Sequence, residues 1–194
     1  MSRLQALHEA LSRQPPREAA AAGQREAAIA IVVVPNPDRL LLIVRAERGG
    51  DPWSGQVACP GGRREPGDAD LLDTAIRETA EEVGLDLALV PDPIQLDDLA
   101  PTTPTLPVLL VRPFLFTLDR QPMLRPNREV AGYEWVSFER LVATGARCTT
   151  EIEVAGAVRH VAGYQLERGL LWGMTERIVT PVVELWRELG TQPD

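Results

Sequence analysis

The sequence of 194 residues contains no lysine, and all 20 of its basic residues are arginine. A Walker A phosphate-binding loop, a Schiff-base lysine and a lysine nucleophile all require that side chain, so each is excluded. Arginine-only usage beside abundant alanine is typical of proteins from GC-rich bacterial genomes. The 28 acidic residues give a formal net charge of −8. An acidic chain lacks a broad basic surface, so neither nucleic acid nor an anionic membrane is expected as a partner.

Cysteine and histidine are scarce, with two residues of each. Cys59, Cys148, His8 and His160 are scattered along the chain, so no zinc finger or cysteine framework is available. Because no histidine lies near Cys59 in sequence, we interpret it as a small buried residue rather than a nucleophile.

Long apolar runs are also missing. The N-terminal segment has no apolar core of signal-peptide length, and the run from Ala27 to Val34 stops at Pro35. Neither secretion nor membrane spanning is supported, so a cytoplasmic location is expected. The composition, 44% apolar and 25% charged, predicts a globular protein with a substantial core.

Hydrophobic periodicity predicts an α+β fold. An N-terminal helix and its Pro/Ala-rich connector are expected within residues 1–24, followed by a single main domain over 25–194. The predicted helices cover 3–13, 70–84, 138–143 and 171–189. The predicted strands cover 27–34, 40–45, 130–136, one strand or a strand pair within 106–118, and a hairpin within 150–166 that turns at Ala155-Gly156.

One segment concentrates glycine, proline and acidic residues. It begins with a Pro-Gly-Gly turn at 60–62 and continues through an acidic-proline turn at 65–68. It then enters a predicted helix with the string Arg-Glu-Thr-Ala-Glu-Glu-Val-Gly at 77–84. Residues 63–86 hold eight acidic and three basic side chains, so much of the net negative charge is localised here.

The helical part of this segment places its carboxylates close together. At about 100° per residue, Glu78, Glu81 and Glu82 project from one sector of the helix. Arg77 lies one turn from both Asp73 and Glu81 and is predicted to bridge them.

A cation would relieve the repulsion among three carboxylates within one helical turn. Mg²⁺ suits such a face better than zinc or copper, because it prefers carboxylate oxygens and keeps waters that phosphate can displace. Gly62 lets the backbone approach closely enough to offer a carbonyl to the same ion. Neighbouring glutamates on a helix are usually just a solvated face, so this prediction depends on the whole segment.

Taken together, these turns and the Arg-Glu-x-x-Glu-Glu-x-Gly string resemble the Nudix box of hydrolases that act on nucleoside-diphosphate-linked substrates. The resemblance implies a Nudix-type α/β/α sandwich with a mixed β-sheet. It also implies metal-dependent hydrolysis of a pyrophosphate linkage by attack of water at phosphorus.

The matching positions suggest roles for individual residues. Glu78, Glu82 and Gly62 are expected to ligate Mg²⁺ or Mn²⁺. Glu81 would be a third ligand or would orient the water, and Arg77 would hold the carboxylates. The general base is open, since it lies in the box in some branches and on a distant loop in others, where Glu129 is the candidate.

Further strings resemble the coenzyme A pyrophosphatase branch of this family. They are Gly-Gln-Val-Ala-Cys-Pro-Gly-Gly at 55–62, Pro-Asn-Arg-Glu-Val at 126–130 and Leu-Trp-Gly-Met-Thr at 171–175. The branch's upstream signature is incomplete, because Gly50-Asp51 stands where a second arginine is expected and Cys59 replaces a phenylalanine.

The expected partner is therefore a small nucleotide-type substrate. Coenzyme A or its thioesters, cleaved to phosphopantetheine and 3′,5′-ADP, is the first expectation. ADP-ribose, NADH or another nucleoside-diphosphate derivative is the second, and a regulatory nucleotide-binding module without turnover is the third. Arg45 is expected to contact phosphate, and Trp53 to stack on a base or to anchor its loop. A homodimer is compatible with the sequence, which does not fix the oligomeric state.

Overall fold

The computed structural model describes residues 1–19, 25–49, 54–100, 109–154 and 157–190. The helices within these ranges are α1 (Arg3–Ser12), α2 (Leu71–Val83), α3 (Phe138–Val142) and α4 (Gly173–Leu189). The strands are β1 (Arg25–Val34), β2 (Arg39–Arg45), β3 (Val57–Ala58), β4 (Gly61–Arg63), β5 (Ile94–Gln95), β6 (Leu109–Thr117), β7 (Val130–Ser137), β8 (Arg147–Val154), β9 (Ala157–Leu166) and β10 (Gly169–Trp172). None of these helices is both long and apolar enough to cross a membrane.

A mixed sheet is built around β1. This strand runs parallel to β6 from the pair Arg25–Leu109 to the pair Val33–Thr117. On its other side β1 pairs antiparallel with β2 next to their connecting turn, and with β4 farther back. β2 also pairs antiparallel with β7 and β3, and β5 pairs with β6. The mixed sheet expected from the sequence is confirmed.

This sheet separates two apolar layers, because side chains alternate between the faces along β1. Ala28, Ala30 and Val32 lie in one layer with the apolar side of α2. Ile31 and Val33 lie in the other layer with apolar residues of α1, α3 and α4. Helices therefore cover both faces of the sheet, which is the α/β/α sandwich that the resemblance implied.

The ends of α2 are fixed by their capping residues. The Asp70 carboxylate accepts a hydrogen bond from the backbone N–H of Asp73, which satisfies one of the free donors at the helix N-terminus. Gly84 follows the last turn with a φ of 68°, a left-handed conformation that glycine adopts without strain. The predicted helix 70–84 is thus confirmed, with its two end residues serving as caps.

The N-terminal helix packs on α4. Leu4 and Leu7 of α1 are buried in the same layer as α4. The Arg3 guanidinium lies 4.0 Å from the centre of the Trp186 ring, a cation–π distance. Beyond the helix, Arg17 N–H donates to Asp97 Oδ1 at 2.8 Å. The segment contributes to the core, and the division into 1–24 and 25–194 stays a prediction.

The structure differs from the sequence-based assignment at the start of α4. Leu171 and Trp172 were predicted to be helical, but they end β10 and pair with Tyr164 and Gly163 of β9. Periodicity cannot separate a short apolar strand from the first turn of the helix that follows it. The predicted hairpin is confirmed as β8 and β9, while its turn at 155–156 lies outside the described residues.

The region 106–118 forms one strand where it is described. β6 begins at Leu109, and residues 101–108 lie outside the described ranges. The short strands β3, β4 and β5 were not predicted, because two or three residues show no periodicity.

Candidate active site

The glycine turn and α2 approach each other closely. Gly61 and Gly62 of β4 pair with Ile29 and Ala28 of β1. A Cβ atom on Gly61 would overlap the Ala28 carbonyl, and one on Gly62 would overlap the carboxylate of Glu78. Glycine at both positions therefore lets β4 lie against β1 while the Glu78 carboxylate rests on the backbone of β4.

Arg77 is the centre of an ion-pair network. Its Nε and Nη2 donate to the two carboxylate oxygens of Asp68 at 2.8 and 3.0 Å. Its Nη1 donates to Glu78 Oε1 at 3.0 Å and to Glu81 Oε2 at 3.4 Å. The hydrogen bonds from Arg77 hold the pKa of Asp68 well below its usual range. Arg77 therefore fixes Glu78 and links it to the turn before the helix.

The predicted bridge from Arg77 to Asp73 is wrong. The Asp73 carboxylate instead accepts the backbone N–H of Ala69 at 3.2 Å. Asp68 takes its place, because the turn folds back along α2 and buries the Asp68 carboxylate, which also accepts the Thr74 hydroxyl at 2.9 Å. Helical spacing favours Asp73, whereas the path of the preceding turn cannot be derived from helical spacing.

The three predicted glutamates differ in exposure. The side chain is 5% exposed for Glu82, 17% for Glu78 and 57% for Glu81. They therefore do not form a uniform acidic face. Across the described ranges, no group of three acidic, histidine or cysteine side chains is arranged to hold a metal ion. We call Glu78 and Glu82, the two less exposed glutamates, the acidic pair. The roles of the three glutamates as metal ligands stay predictions.

The surroundings of Glu82 make its ionisation costly. Its Oε2 accepts the Gly61 N–H at 2.9 Å, and its Oε1 lies 4.0 Å from Arg45 Nη1. Burial, with a further contribution from the charges of Glu78 and Glu129, raises the pKa of Glu82 to about 7. Burial also raises the pKa of Glu78.

The acidic pair fits a hard divalent ion by its chemistry. Two carboxylates one helical turn apart supply the oxygen ligands that Mg²⁺ and Mn²⁺ accept. The backbone cradle at Gly62, which a Cβ atom would fill, gives Glu78 room beside β4. A cation would also offset the cost of ionising the buried Glu82 beside the half-buried Glu78.

Two loops meet beside the acidic pair. The backbone N–H of Ala46, just after Arg45, donates to the Glu129 carbonyl at 2.8 Å. The Glu129 carboxylate lies 2.8 Å from Nη2 of Arg48, and both side chains are 45% exposed. Sequence reasoning missed Arg48. Arg48 follows Arg45, the last residue of β2, by three residues, and this short distance in sequence is the signal that could have found it.

Two further predictions concern single residues. Trp53 lies outside the described residues. Cys59 is confirmed as a buried residue, and burial raises the pKa of its thiol to about 12. A thiol that stays protonated is a poor nucleophile, in agreement with the interpretation from the sequence.

A cavity of about 660 Å³ lies away from the acidic pair. Its lining includes Leu11 of α1 and Ile178 and Val182 of α4, on the face of the sheet opposite α2. The cavity and the acidic pair therefore lie on opposite faces of the sheet. We place the candidate site at the acidic pair, because cation binding and phosphate chemistry need the charged groups that lie there.

The family model described as NUDIX domain matches residues 24–155, more than half of the chain. The chain belongs to the NUDIX domain family. Nudix hydrolases act on phosphoanhydride bonds. Hydrolases of this family use divalent metal ions.

The chain is also similar to curated proteins. The Schizosaccharomyces pombe protein named "Uncharacterized protein C14C4.10c" is 38% identical over 120 residues, which are 59% of this chain and 36% of that protein. This chain thus spans about a third of that relative's length. The Pectobacterium atrosepticum protein named "Uncharacterized Nudix hydrolase NudL" is 27% identical over 157 residues, or 80% of each chain.

Solved structures share the Nudix fold. A MutT/nudix family protein from Enterococcus faecalis has a TM-score of 0.60 at 17% identity, covering 99% of this chain and 71% of that one. A bifunctional NMN adenylyltransferase/ADP ribose pyrophosphatase from Francisella tularensis, complexed with AMP and a Mn ion, has a TM-score of 0.56 at 17% identity. That match covers 94% of this chain and 46% of the other. At these identities the likeness concerns the fold.

Proposed function

We propose that this Nudix hydrolase cleaves the pyrophosphate linkage of coenzyme A or its thioesters, giving phosphopantetheine and 3′,5′-ADP. The observation that supports the hydrolytic part is the acidic pair on α2, which packs against the glycine turn and lies beside Arg45. The substrate is supported by the strings at 55–62 and 126–130. Both flank Glu82, since Gly61 N–H donates to its carboxylate and Asn127 N–H donates to its carbonyl at 2.9 Å.

Glu78 and Glu82 are the proposed ligands of Mg²⁺ or Mn²⁺, with the Gly62 carbonyl as a further oxygen donor. When bound, the ion neutralises charge on the phosphoryl oxygens and activates water. Arg77 holds Glu78 in position through its bonds to Asp68 and Glu78. Glu81, the most exposed of the three glutamates, orients the attacking water or completes the ligand set.

The remaining proposed roles belong to residues outside α2. Arg45 binds a substrate phosphate, since its guanidinium lies at the edge of the acidic pair. Glu129 accepts the proton of the attacking water, with Glu81 as the alternative base inside the box. The ion pair with Arg48 fixes the Glu129 carboxylate before substrate arrives. Trp53 stacks on the substrate base or anchors its loop.

A second candidate is hydrolysis of ADP-ribose, NADH or a related nucleoside-diphosphate derivative. Gly50-Asp51 stands where the coenzyme A branch has an arginine, so one expected contact to the substrate is missing. The Francisella tularensis neighbour is itself named an ADP ribose pyrophosphatase.

One substrate screen separates the candidates. The purified protein is incubated with Mg²⁺ or Mn²⁺ and with coenzyme A, ADP-ribose, NADH or diadenosine polyphosphates, and products are separated by ion-exchange chromatography. We expect 3′,5′-ADP from coenzyme A, and roughly 100-fold less of it from the Glu82→Gln variant purified in parallel, which controls for contaminating hydrolases. Intact coenzyme A beside consumed ADP-ribose would favour the second candidate. Binding without cleavage of any compound would favour a regulatory module.

A further inference from the structure

The small sheet of β8, β9 and β10 ends in a long strand with one open side. β8 pairs with β9 over its full length, from Arg147–Tyr164 to Val154–Ala157, without a register shift. In the ranges that the structure describes, β9 is the only strand that pairs with β8. An edge strand of this length presents a row of backbone donors and acceptors to another chain.

The sequence of β8 protects its edge with charge alone. It is Arg-Cys-Thr-Thr-Glu-Ile-Glu-Val, with an arginine at one end and glutamates at 151 and 153, and it contains no proline. Charged side chains at an edge keep out strands whose charges do not match. A regular edge that carries both signs of charge therefore selects a strand of complementary charge, and the sequence of β8 itself indicates which strand.

β8 is complementary to a second copy of itself. In an antiparallel pair, directly opposed residues place their side chains on the same face, so a twofold axis must pass beside a residue that opposes itself. With Thr150 at the axis, Arg147 opposes Glu153 of the second copy, and this favourable charge pair occurs twice. Thr149 then opposes Glu151, and Cys148 opposes Ile152, which brings no like charges together.

Other registers are less favourable. An axis at Glu151 sets that carboxylate against its own copy, and an axis at Ile152 sets Glu151 against Glu153. Directly opposed like charges destabilise a strand pair. An axis at Thr149 keeps one favourable charge pair on each side but shortens the paired segment to residues 147–151. The register centred on Thr150 pairs residues 147–153 and is the longest without charge repulsion.

We propose that two copies of this protein form a homodimer by antiparallel pairing of β8 with β8 about a twofold axis at Thr150. The two three-stranded sheets then become one six-stranded sheet. The Arg147 side chain is 49% exposed, so it can reach Glu153 of the second copy while its Nε donates to Glu176 at 2.8 Å. Glu151 lies 3.5 Å from His160 on its own chain. α2 packs on the other sheet, so the interface does not use the acidic pair.

Engineered cysteines test both the partner and the register. In a Cys148→Ser background, Thr150→Cys places two thiols opposite each other across the axis. Directly opposed Cα atoms lie about 4.5–5.5 Å apart in antiparallel pairs, within the range of a disulfide. We expect a covalent dimer on a non-reducing gel after mild oxidation, reversed by reductant. Thr149→Cys in the same background is the matched control, because residue 149 opposes residue 151 and its copies lie too far apart.

A charge reversal tests the same interface without a crosslink. Glu153→Arg sets arginine against Arg147 at both ends of the paired segment, and we expect the dimer dissociation constant to rise roughly tenfold or more in sedimentation equilibrium. Glu139→Arg, on the exposed start of α3, changes the charge equally and is expected to leave the constant unchanged. Hydrolytic activity reports that both variants are folded. A wild-type protein that stays monomeric at all concentrations, or crosslinking at residue 149 rather than 150, would overturn the proposal.

Discussion

At the scale of single residues, Glu82 stands out because it puts an acid where ionisation is costly. Its side chain is almost completely buried, and its pKa is raised to about 7. A buried carboxylate gains more from a nearby cation than an exposed one, because water screens it less. The main effect of Glu82 should therefore appear in metal-dependent turnover.

The first prediction concerns the charge of Glu82. Glu82→Gln keeps the shape of the side chain and can still accept the Gly61 N–H, so the fold should remain intact. A neutral amide is a poor ligand for Mg²⁺, and we expect kcat to fall roughly 100-fold or more. Steady-state kinetics at saturating magnesium, with circular dichroism for the fold, measure this. Glu184→Gln on the exposed side of α4 is the control, and near wild-type activity of Glu82→Gln would disprove the ligand role.

Asp68 supports a second prediction at this scale. The pKa of Asp68 is lowered in the folded protein by hydrogen bonds from Arg77. Its ionised form therefore stabilises the fold above the ordinary aspartate pKa of about 3.9, and this stabilisation is lost as the pH falls toward the lower folded value. We expect Asp68→Asn to reduce the free energy of unfolding by about 3 kcal/mol at pH 7.

The difference in unfolding free energy between wild type and Asp68→Asn should be smaller at pH 3, because the wild-type protein loses part of the stabilisation from ionised Asp68 there. Urea denaturation at both pH values measures the difference. Asp119→Asn, an exposed residue, is expected to change little at either pH. An equal loss of unfolding free energy at pH 7 and pH 3 would show that the ion pair with Arg77 is not its cause.

At the scale of elements, β4 and α2 act as one unit because glycine lets them touch. Gly62→Ala would introduce a Cβ atom onto the Glu78 carboxylate. We expect the carboxylate to move and kcat to fall at least about tenfold with a weaker dependence on Mg²⁺, since the ligands of a catalytic metal ion need precise placement. Gly67→Ala, in the acidic-proline turn that follows β4, is the matched control, because an added Cβ atom meets nothing within 4 Å there. Equal activity of the two variants in a magnesium titration would contradict this view.

At the scale of the whole molecule, the central sheet separates catalysis from much of the core. α2 lies on one face, and α1 and α4 pack on the other. Leu7→Ala should therefore cost about 2–5 kcal/mol of unfolding free energy and leave kcat of the folded protein unchanged. Leu89→Ala, at a highly exposed leucine, should change stability by less than about 0.5 kcal/mol. Thermal or urea denaturation with parallel kinetics measures both effects, and a large loss of kcat in Leu7→Ala would show that the faces are coupled.

Long elements could be predicted from the sequence more accurately than short ones. The pattern at 70–84 gave α2 to within one residue at each end, because periodicity and both caps agree there. β10 was merged with α4, and β4 was missed, because strands this short are defined by the neighbour they pair with. The assignment of Glu78, Glu82 and Gly62 as metal ligands stays a prediction.

The sequence by itself determined the segment 60–84 that resembles the Nudix box and the residues on which the proposed chemistry depends. Residue types and spacing were sufficient, since helical geometry fixes the angle of each side chain around the axis. Only the tertiary structure decided that Glu82 is buried while Glu81 is exposed, that Arg77 pairs with Asp68 rather than Asp73, and that Arg48 reaches Glu129. The reason is physical: burial and ion pairing depend on the strands and loops that pack against a helix, and these come from distant parts of the chain.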